Sequence, residues 1–170
     1  GESYYNLDAV KGNGVYKSVD HGATWTQLAS TTAYGYCTRI LCDYLGNVYL
    51  ATRGNGLLRS TDGGSTWTTI TPTGLSNRIC DLEISSTATA ARLHVVAGIF
   101  TTQAYRYTDI PTTVTSSSGW NSPATAFPSY SNRAEIACKG NVLYALPSDG
   151  TYEVPTIYKS TDGGANWAAT

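Results

Sequence analysis

The sequence predicts an all-β protein built from repeats, because one short phrase recurs and no helical pattern accompanies it. The phrase Ser-x-Asp-x-Gly-x-x-Trp occupies residues 18–25, 60–67 and 160–167. Internal repetition of this kind identifies a repeat architecture before any single element is assigned. Between the copies lie runs rich in β-branched and aromatic residues, bounded by Gly, Asn, Asp and Pro, as expected of strands. No stretch of about ten residues shows the apolar period of a helix.

Each copy of the phrase is expected to form a tight turn. Its Asp can accept hydrogen bonds from amides of the turn, its Gly can adopt a positive φ, and its Trp supplies an apolar anchor. An Asp with its oxygens engaged in this way has a depressed pKa, which suits neither an acid nor a nucleophile. We therefore predict a structural role for the repeated residues, which are Ser18, Asp20, Gly22 and Trp25; Ser60, Asp62, Gly64 and Trp67; and Ser160, Asp162, Gly164 and Trp167.

The spacing of the copies gives the length of one structural unit. Ser60 follows Ser18 by 42 residues, which matches the roughly 40–50 residues of a four-stranded propeller blade. Ser160 follows Ser60 by 100 residues, about the length of two blades, and a degenerate copy within 105–120 fills the gap. That copy ends at Trp120, so the four tryptophans mark four blades.

We therefore predict a partial β-propeller of four-stranded antiparallel blades over residues 1–170. It comprises a partial blade, two complete blades and a second partial blade, at 1–27, 28–70, 71–121 and 122–170. A propeller closes as a ring of about four to eight blades, which hides its sheet edges. We expect further blades of the same polypeptide, or a second chain, to close the ring. In isolation this stretch should not be a monodisperse monomer, because uncovered blade faces associate.

The repeated phrase resembles the Asp box, or BNR repeat, of sialidase-like, sortilin-like and xyloglucanase-like β-propellers. The resemblance implies that the copies lie on the turn between the third and fourth strands, at the blade periphery and away from any substrate cleft. The sialidase likeness goes no further, because Ile110-Pro111 follows Asp109, where that family carries Arg-Ile-Pro. We assign no catalytic residue within the chain.

Composition narrows the possible partners and the location. A net charge of −1 with 14% charged residues disfavours nucleic acid, which needs a basic face. The sequence lacks an apolar run of the roughly 18 residues that a membrane helix requires. Low charge and abundant Thr, Ser, Gly and Tyr are typical of secreted or cell-surface β proteins.

The cysteine pattern predicts neither a metal site nor a cofactor. The four cysteines lack the paired spacing of a zinc site, and the two histidines lie far from any matching ligand pair. Two alternatives remain open, buried free thiols near the ring axis or at least one disulfide, with Cys37–Cys42 as the local candidate. The cysteines concerned are Cys37, Cys42, Cys80 and Cys138.

An arginine recurs where each innermost strand is expected to begin. In a propeller these positions converge around the central channel, and Arg53 precedes a hairpin expected on the same face. The cluster could form a carboxylate or phosphate site, since guanidinium binds those anions with two parallel hydrogen bonds. Alternatively, each arginine pairs with a nearby Asp, such as Asp43 or Asp81, and holds blades together. The candidate ligand-binding residues are Arg39, Arg78, Arg133 and Arg53.

Three functions fit these observations. The first is a secreted or cell-surface propeller module that binds a protein or a glycan, with the interruption at 108–130 offering Trp120 and Phe127 for contact. The second is half of a glycoside hydrolase, which requires two carboxyls facing each other across the sugar. The third is an assembly factor whose arginine-lined face binds an acidic partner.

Overall fold

The computed structural model describes residues 10–86, 91–129, 133–148 and 156–170, and its regular structure is almost entirely β. Within these residues the strands form antiparallel sheets in which spatial order follows chain order. The prediction of an all-β fold with antiparallel four-stranded sheets is confirmed. The first nine residues of the predicted partial blade 1–27 lie outside the described residues, and the predicted blade boundaries stay a prediction.

Two sheets come from the first part of the chain. The first sheet pairs two short strands, β1 (Tyr16–Lys17) and β2 (Thr26–Gln27). A single 3₁₀ turn at Ala29–Thr31 follows. The second sheet contains β3 (Cys37–Cys42), β4 (Val48–Thr52), β5 (Leu57–Ser60) and β6 (Thr68–Thr69).

The remaining strands form two further sheets. The third contains β7 (Ile79–Ser86), β8 (Ala91–Ala97) and β9 (Ala104–Thr108), and a bridge between Tyr107 and Asn121 adds a fourth position beside β9. The fourth contains β10 (Arg133–Lys139), β11 (Val142–Ser148), β12 (Tyr158–Ser160) and β13 (Ala168–Ala169).

The apolar core lies between neighbouring sheets. One cluster joins the second and third sheets, and its buried members include Tyr49, Leu57, Ile79, Leu82 and Val95. The other joins the third and fourth sheets, and its buried members include Val96, Tyr105, Phe127, Ile136 and Trp167. Because strand side chains alternate between faces, residues such as Val95 and Val96 let one sheet contribute to both clusters.

The three repeated turns have one hydrogen-bonding pattern. In the second copy, Ser60 Oγ donates to Asp62 Oδ1 at 2.8 Å and accepts the Gly64 amide at 2.8 Å. Asp62 also accepts both the amide and the hydroxyl of Thr66, at 2.9 and 2.6 Å. The other two copies repeat these bonds, with Thr24 and Asn166 in the place of Thr66, around Ser18, Asp20 and Gly22 and around Ser160, Asp162 and Gly164.

These bonds explain the acidity of the turn carboxyls and the glycine of the pattern. The side-chain donor four residues later, followed by its backbone amide, lowers the pKa of Asp20, Asp62 and Asp162 to about 2. Gly64 has a φ of 94°, and a Cβ at that position would collide with the Leu28 side chain of the preceding sheet. The backbone conformation thus favours glycine, and any larger residue would also have to displace the end of the Leu28 side chain.

Most of the tryptophans dock on the preceding sheet. Trp167 is buried, and its ring stands edge-on to Phe127 and Tyr105, with centroids 5.1 and 5.3 Å away. Trp67 Nε1 donates to Ser30 Oγ at 3.2 Å, and Trp120 Nε1 donates to the Ile70 carbonyl at 3.1 Å. These three residues anchor their turns on the preceding sheet.

Trp25 differs from the expected anchor. Its side chain is 62% exposed, because the surface on which a repeat tryptophan docks belongs to the preceding sheet and no described residue supplies one. Its indole Nε1 still donates to the Gly22 carbonyl at 3.1 Å, as in the other copies. The local turn therefore forms without the packing that buries its counterparts.

The cysteines do not form the disulfide considered from the sequence. All four are free. Cys37 and Cys42 are the first and last residues of β3, about 16 Å apart at strand rise, whereas a disulfide requires Cα atoms within about 7 Å. Cys80 is buried, but Cys42 is exposed, so the idea of buried thiols in equivalent places holds only in part.

The aromatic residues of the interruption at 108–130 serve the junctions between sheets. Phe127 is 5% exposed and packs against Trp167, so it is not available to stack on a ligand. Trp120 is half-buried, with its indole nitrogen engaged by Ile70. Burial of large apolar area between sheets accounts for both positions.

A buried histidine links side chains on the three strands of the third sheet. His94 is fully buried; its Nδ1 lies 2.7 Å from the Tyr105 hydroxyl and its Nε2 lies 3.0 Å from Ser85 Oγ. Burial, with a smaller contribution from the Arg92 charge, lowers the pKa of His94 to about 3. The imidazole is therefore held neutral in the folded chain.

Truncation of a docked tryptophan should lower the free energy of unfolding more than truncation of the undocked one. Trp167→Ala should lower the free energy of unfolding by about 3–5 kcal/mol, as for other buried aromatic truncations. Trp25→Ala should change it by about 0.5 kcal/mol or less, as at an exposed site. Urea denaturation in dilute solution measures both, and equal losses would contradict the assignment of Trp25 as undocked.

Stability should fall with acidity because of His94. The contribution of neutral His94 to the free energy of unfolding is fully present above about pH 6.5, the ordinary pKa of histidine. It declines between pH 6.5 and pH 3, because only the unfolded chain takes up the proton in that range. The limiting slope is about 1.4 kcal/mol per pH unit. Denaturation midpoints of the wild type and His94→Gln should converge between pH 6.5 and 4; parallel curves would contradict the prediction.

Candidate functional site

The first strands of consecutive sheets lie side by side and bring charged residues together. Thr38 Oγ1 on β3 donates to the Ile79 carbonyl on β7 at 3.1 Å, and the Ile136 amide on β10 donates to Asp81 Oδ2 at 3.0 Å. Along this line of strands the structure gathers four side chains, called here the axial cluster: Arg39, Asp81, Glu83 and Cys138.

Asp81 links three sheets. Its carboxylate accepts the Ile136 amide of the fourth sheet and the Leu82 amide of its own strand, at 3.0 and 2.9 Å. Arg39 Nε of the second sheet lies 3.7 Å from Asp81 Oδ1. Burial raises the pKa of Asp81, while the two amides and Arg39 act against that rise. The hydrogen bonds and Arg39 therefore offset part of the desolvation of this buried carboxylate.

Glu83 occupies the same face of β7, two residues further on. Arg39 Nη2 donates to Glu83 Oε1 at 2.5 Å, and the Cys138 thiol lies 3.7 Å from Glu83 Oε2. Burial, then the Glu83 charge, raises the pKa of Cys138 to about 11, so its thiol stays protonated at neutral pH. The cluster joins charges across sheets and contains no activated nucleophile among these residues.

A second group of residues lies at one end of the sheets, where β3 and β7 begin and β4 ends. Arg53 and Arg78 pair in an antiparallel bridge, which places them side by side. The Arg53 amide donates to the Tyr36 carbonyl at 2.8 Å, and the Arg53 guanidinium lies 5.3 Å from the centre of the Tyr36 ring. We call Tyr36, Arg53 and Arg78 the rim.

The structure separates the four candidate arginines. Arg39 is paired with Glu83 of the next sheet, and Arg133 Nη1 lies 3.1 Å from Glu135 on its own strand. Arg78 Nη1 donates to the Ile99 carbonyl at 3.3 Å, and Arg53 lies over Tyr36. Arg39 therefore joins two sheets, whereas Arg53 and Arg78 adjoin each other at the rim.

Sequence reasoning missed some members of both groups. Of the two aspartates considered as partners, Asp81 contacts Arg39, whereas Asp43 closes the β3–β4 hairpin by accepting the Leu45 and Asn47 amides. Glu83 was detectable as the residue two positions beyond Asp81, on the same face of a strand. No sequence signal marked Tyr36, which reaches Arg53 through tertiary contact.

Two negative observations apply to the described residues. They contain no group of three or more His, Cys, Asp or Glu side chains that could hold a metal ion. They also contain no helix long and apolar enough to cross a membrane. The Asp109 carboxylate pairs with Arg92, and the Asp162 carboxylate accepts hydrogen bonds within its own turn.

Removing Arg39 should destabilise the chain if it joins blades. Asp81 and Glu83 side chains are only 11% and 16% exposed, so Arg39→Ala leaves two poorly solvated carboxylates and should cost about 1–3 kcal/mol. Adding Glu83→Gln should recover part of that loss, which urea denaturation of both single variants and the double variant measures. An unchanged midpoint for Arg39→Ala would favour the ligand-site alternative.

Comparison with known proteins identifies the architecture. The crystal structure of a Niastella koreensis GH74 enzyme resembles the chain with a TM-score of 0.67 at 18% identity, covering 93% of this chain and 26% of that one. An ancestral GH74 enzyme gives a TM-score of 0.64 at 17% identity, with coverage of 92% and 21%. At these identities the likeness shows the fold alone, and the chain spans about a quarter of each enzyme.

The family follows from a direct sequence match. No curated protein is similar enough to match. The family model described as the DUF6242 beta propeller domain matches residues 2–170, and the propeller prediction is thereby confirmed. The chain belongs to the DUF6242 beta propeller domain family.

Proposed function

We propose that the chain is part of a secreted or cell-surface β-propeller of the Asp-box type, which binds a protein or a glycan at the rim. The observation that carries the proposal is the pairing of Arg53 with Arg78 beside the Tyr36 ring. Two arginines at paired backbone positions suit a ligand with carboxylate or phosphate groups, and an aromatic ring suits the apolar face of a sugar or side chain.

The position of the rim also supports binding. Arg53, Arg78 and Tyr36 are each partly exposed, and they lie where strands end and loops begin. Their backbones are held by ladder-like hydrogen bonds, since the Gly98 amide donates to the Arg78 carbonyl at 2.8 Å. Loops held on a rigid sheet are the usual place for recognition.

Half of a glycoside hydrolase is the second candidate, suggested by the likeness to GH74 enzymes. Asp81 and Glu83 are the carboxylates of the axial cluster, but they lie on one strand and share Arg39. Glycoside hydrolysis needs two carboxyls on opposite sides of the bond that breaks. The described residues therefore support binding better than hydrolysis. Any catalytic pair would require carboxylates from outside them.

Binding can be tested with an array of glycans, with and without uronic acids, and of acidic and neutral peptides. The chain should retain acidic probes, and the affinity should fall as salt is raised. Arg53→Ala and Arg78→Ala should each weaken binding about tenfold or more, as expected for a lost charged hydrogen bond.

The matched control is Lys139→Ala, which removes one exposed positive charge at the opposite end of β10. It should leave affinity unchanged, and the thermal midpoints of all variants should stay close to that of the wild type. Equal effects of Lys139→Ala and Arg53→Ala would show nonspecific charge attraction. Release of reducing sugar from the same glycans, lost in Glu83→Gln, would favour the hydrolase instead.

A further inference from the structure

The outer edge of the third sheet is only partly covered. Its last strand, β9, pairs with β8 along one side. On the other side, among the described residues, only Tyr107 exchanges backbone hydrogen bonds, with Asn121 at 3.1 and 2.8 Å. A groove of about 320 Å³ opens between the start of this edge, at 103–106, and the segment 122–129 that follows the bridge. Both faces of the third sheet pack on its neighbours, so the groove lies at an edge that neither neighbour covers.

The backbone amide of Tyr105 lies on the groove side of β9 and has no acceptor. Successive strand residues direct their backbone groups to opposite sides, so Tyr105 is oriented like Tyr107, whose backbone binds Asn121. The regular register of β8 and β9 contains no bulge that would reverse this orientation. Within the described part of the chain this amide donates to no other group. The edge therefore offers one free backbone donor beside the groove.

Arg106 brings a positive charge to the same place. Its Nη1 donates to the Tyr105 carbonyl at 2.7 Å, which holds the guanidinium near the Tyr105 amide. The Arg106 side chain is half-buried and lines the groove, and it pairs with no carboxylate of the described residues. A guanidinium and a backbone amide are both strong donors to an oxyanion. This part of the groove therefore suits a carboxylate.

Gln103 adds an acceptor, and nearby side chains add an apolar wall. Gln103 is 2% exposed and lines the groove, and its Nε2 donates to the Ser148 carbonyl at 3.3 Å. Its Oε1 is buried and has no hydrogen-bond partner. Such an orphaned oxygen is uncommon in folded proteins, and a donor from a ligand would satisfy it. The apolar wall consists of Pro123, Phe127 and Pro128.

We propose that this groove binds the C-terminal carboxylate of an extended peptide from a partner protein. The carboxylate accepts hydrogen bonds from the Tyr105 amide and the Arg106 guanidinium, and a backbone amide of the peptide donates to Gln103 Oε1. An apolar last side chain packs against Pro123 and Pro128. Addition of an extended peptide to an open sheet edge, and capture of a terminal carboxylate, are both general modes of recognition.

The hydrogen bond from Arg106 favours a peptide that ends in the groove over one that continues through it. A continuing strand would accept the Tyr105 amide and donate an amide of its own to the Tyr105 carbonyl. Arg106 already donates to that carbonyl. A terminal carboxylate needs only the first bond, and its second oxygen can accept from the guanidinium. The groove shares no residue with the rim, so the inference does not rest on the proposed function.

The size of the groove sets the length of the peptide. Its volume of about 320 Å³ lies at the lower end of the roughly 300–1,000 Å³ of ligand pockets. A site of this size holds the last few residues of a chain and leaves the rest of the partner outside. Tetrapeptides therefore serve as probes of the whole site.

An array of tetrapeptides attached through their amino ends tests the inference, with each apolar residue in turn at the last position. Peptides with a free C-terminal carboxylate should bind the 170-residue chain, and their C-terminal amides should bind about tenfold more weakly or less, as expected for a lost charged hydrogen bond. Arg106→Gln should weaken binding of the free acids by about the same factor. Arg106→Lys, which keeps the charge but not the planar fork, should recover part of that loss.

The matched control is Lys139→Ala, which removes an exposed positive charge on β10 and should leave peptide binding unchanged. Thermal midpoints verify that all variants fold. Amidated peptides with an internal Asp or Glu, and polygalacturonate, test whether any anion suffices. Binding of these probes as tight as that of the free acids would overturn the inference, as would equal binding of acids and amides, no binding of either, or an unchanged affinity in Arg106→Gln.

Discussion

The structure depends on one constraint, which is that a four-stranded sheet with two apolar faces cannot bury both by itself. Each sheet must lie between neighbours, and the repeated turn provides the means of attachment. Its hydrogen bonds hold a tryptophan and a carbonyl in fixed positions, and the contact with the preceding sheet uses both. Trp167 shows the complete junction, since it packs on Phe127 and Tyr105 while Arg92 binds the Gly163 carbonyl.

Charged residues near the axis follow from the same stacking. When the first strands of consecutive sheets converge, their side chains leave water, and each charge needs a partner. Arg39 meets Glu83 from the neighbouring sheet, and Asp81 accepts an amide from the sheet beyond. These contacts join sheets without an apolar surface.

The rim lies where the strands end. Arg53 and Arg78 adjoin each other through the backbone, and Tyr36 lies beneath one of them. Because these side chains are partly exposed, their polar groups contact water. A ligand can replace that water at a small cost of desolvation. The proposed binding place therefore combines backbone held by hydrogen bonds with partly exposed side chains.

The sequence alone determined the all-β class, the period and the three turns, because those features depend on residues within a few positions of one another. Ser60, Asp62 and Gly64 form hydrogen bonds within one turn, so their roles can be predicted from their order in the sequence. The candidate site was predicted only in part, since Arg39 was recognised but Glu83 and Tyr36 were not. Only the tertiary structure decided which groups the arginines contact. It also determined that Trp25 is exposed while Trp167 is buried. Those outcomes depend on which sheet faces which, and neighbouring sheets supply them from residues far apart in the chain.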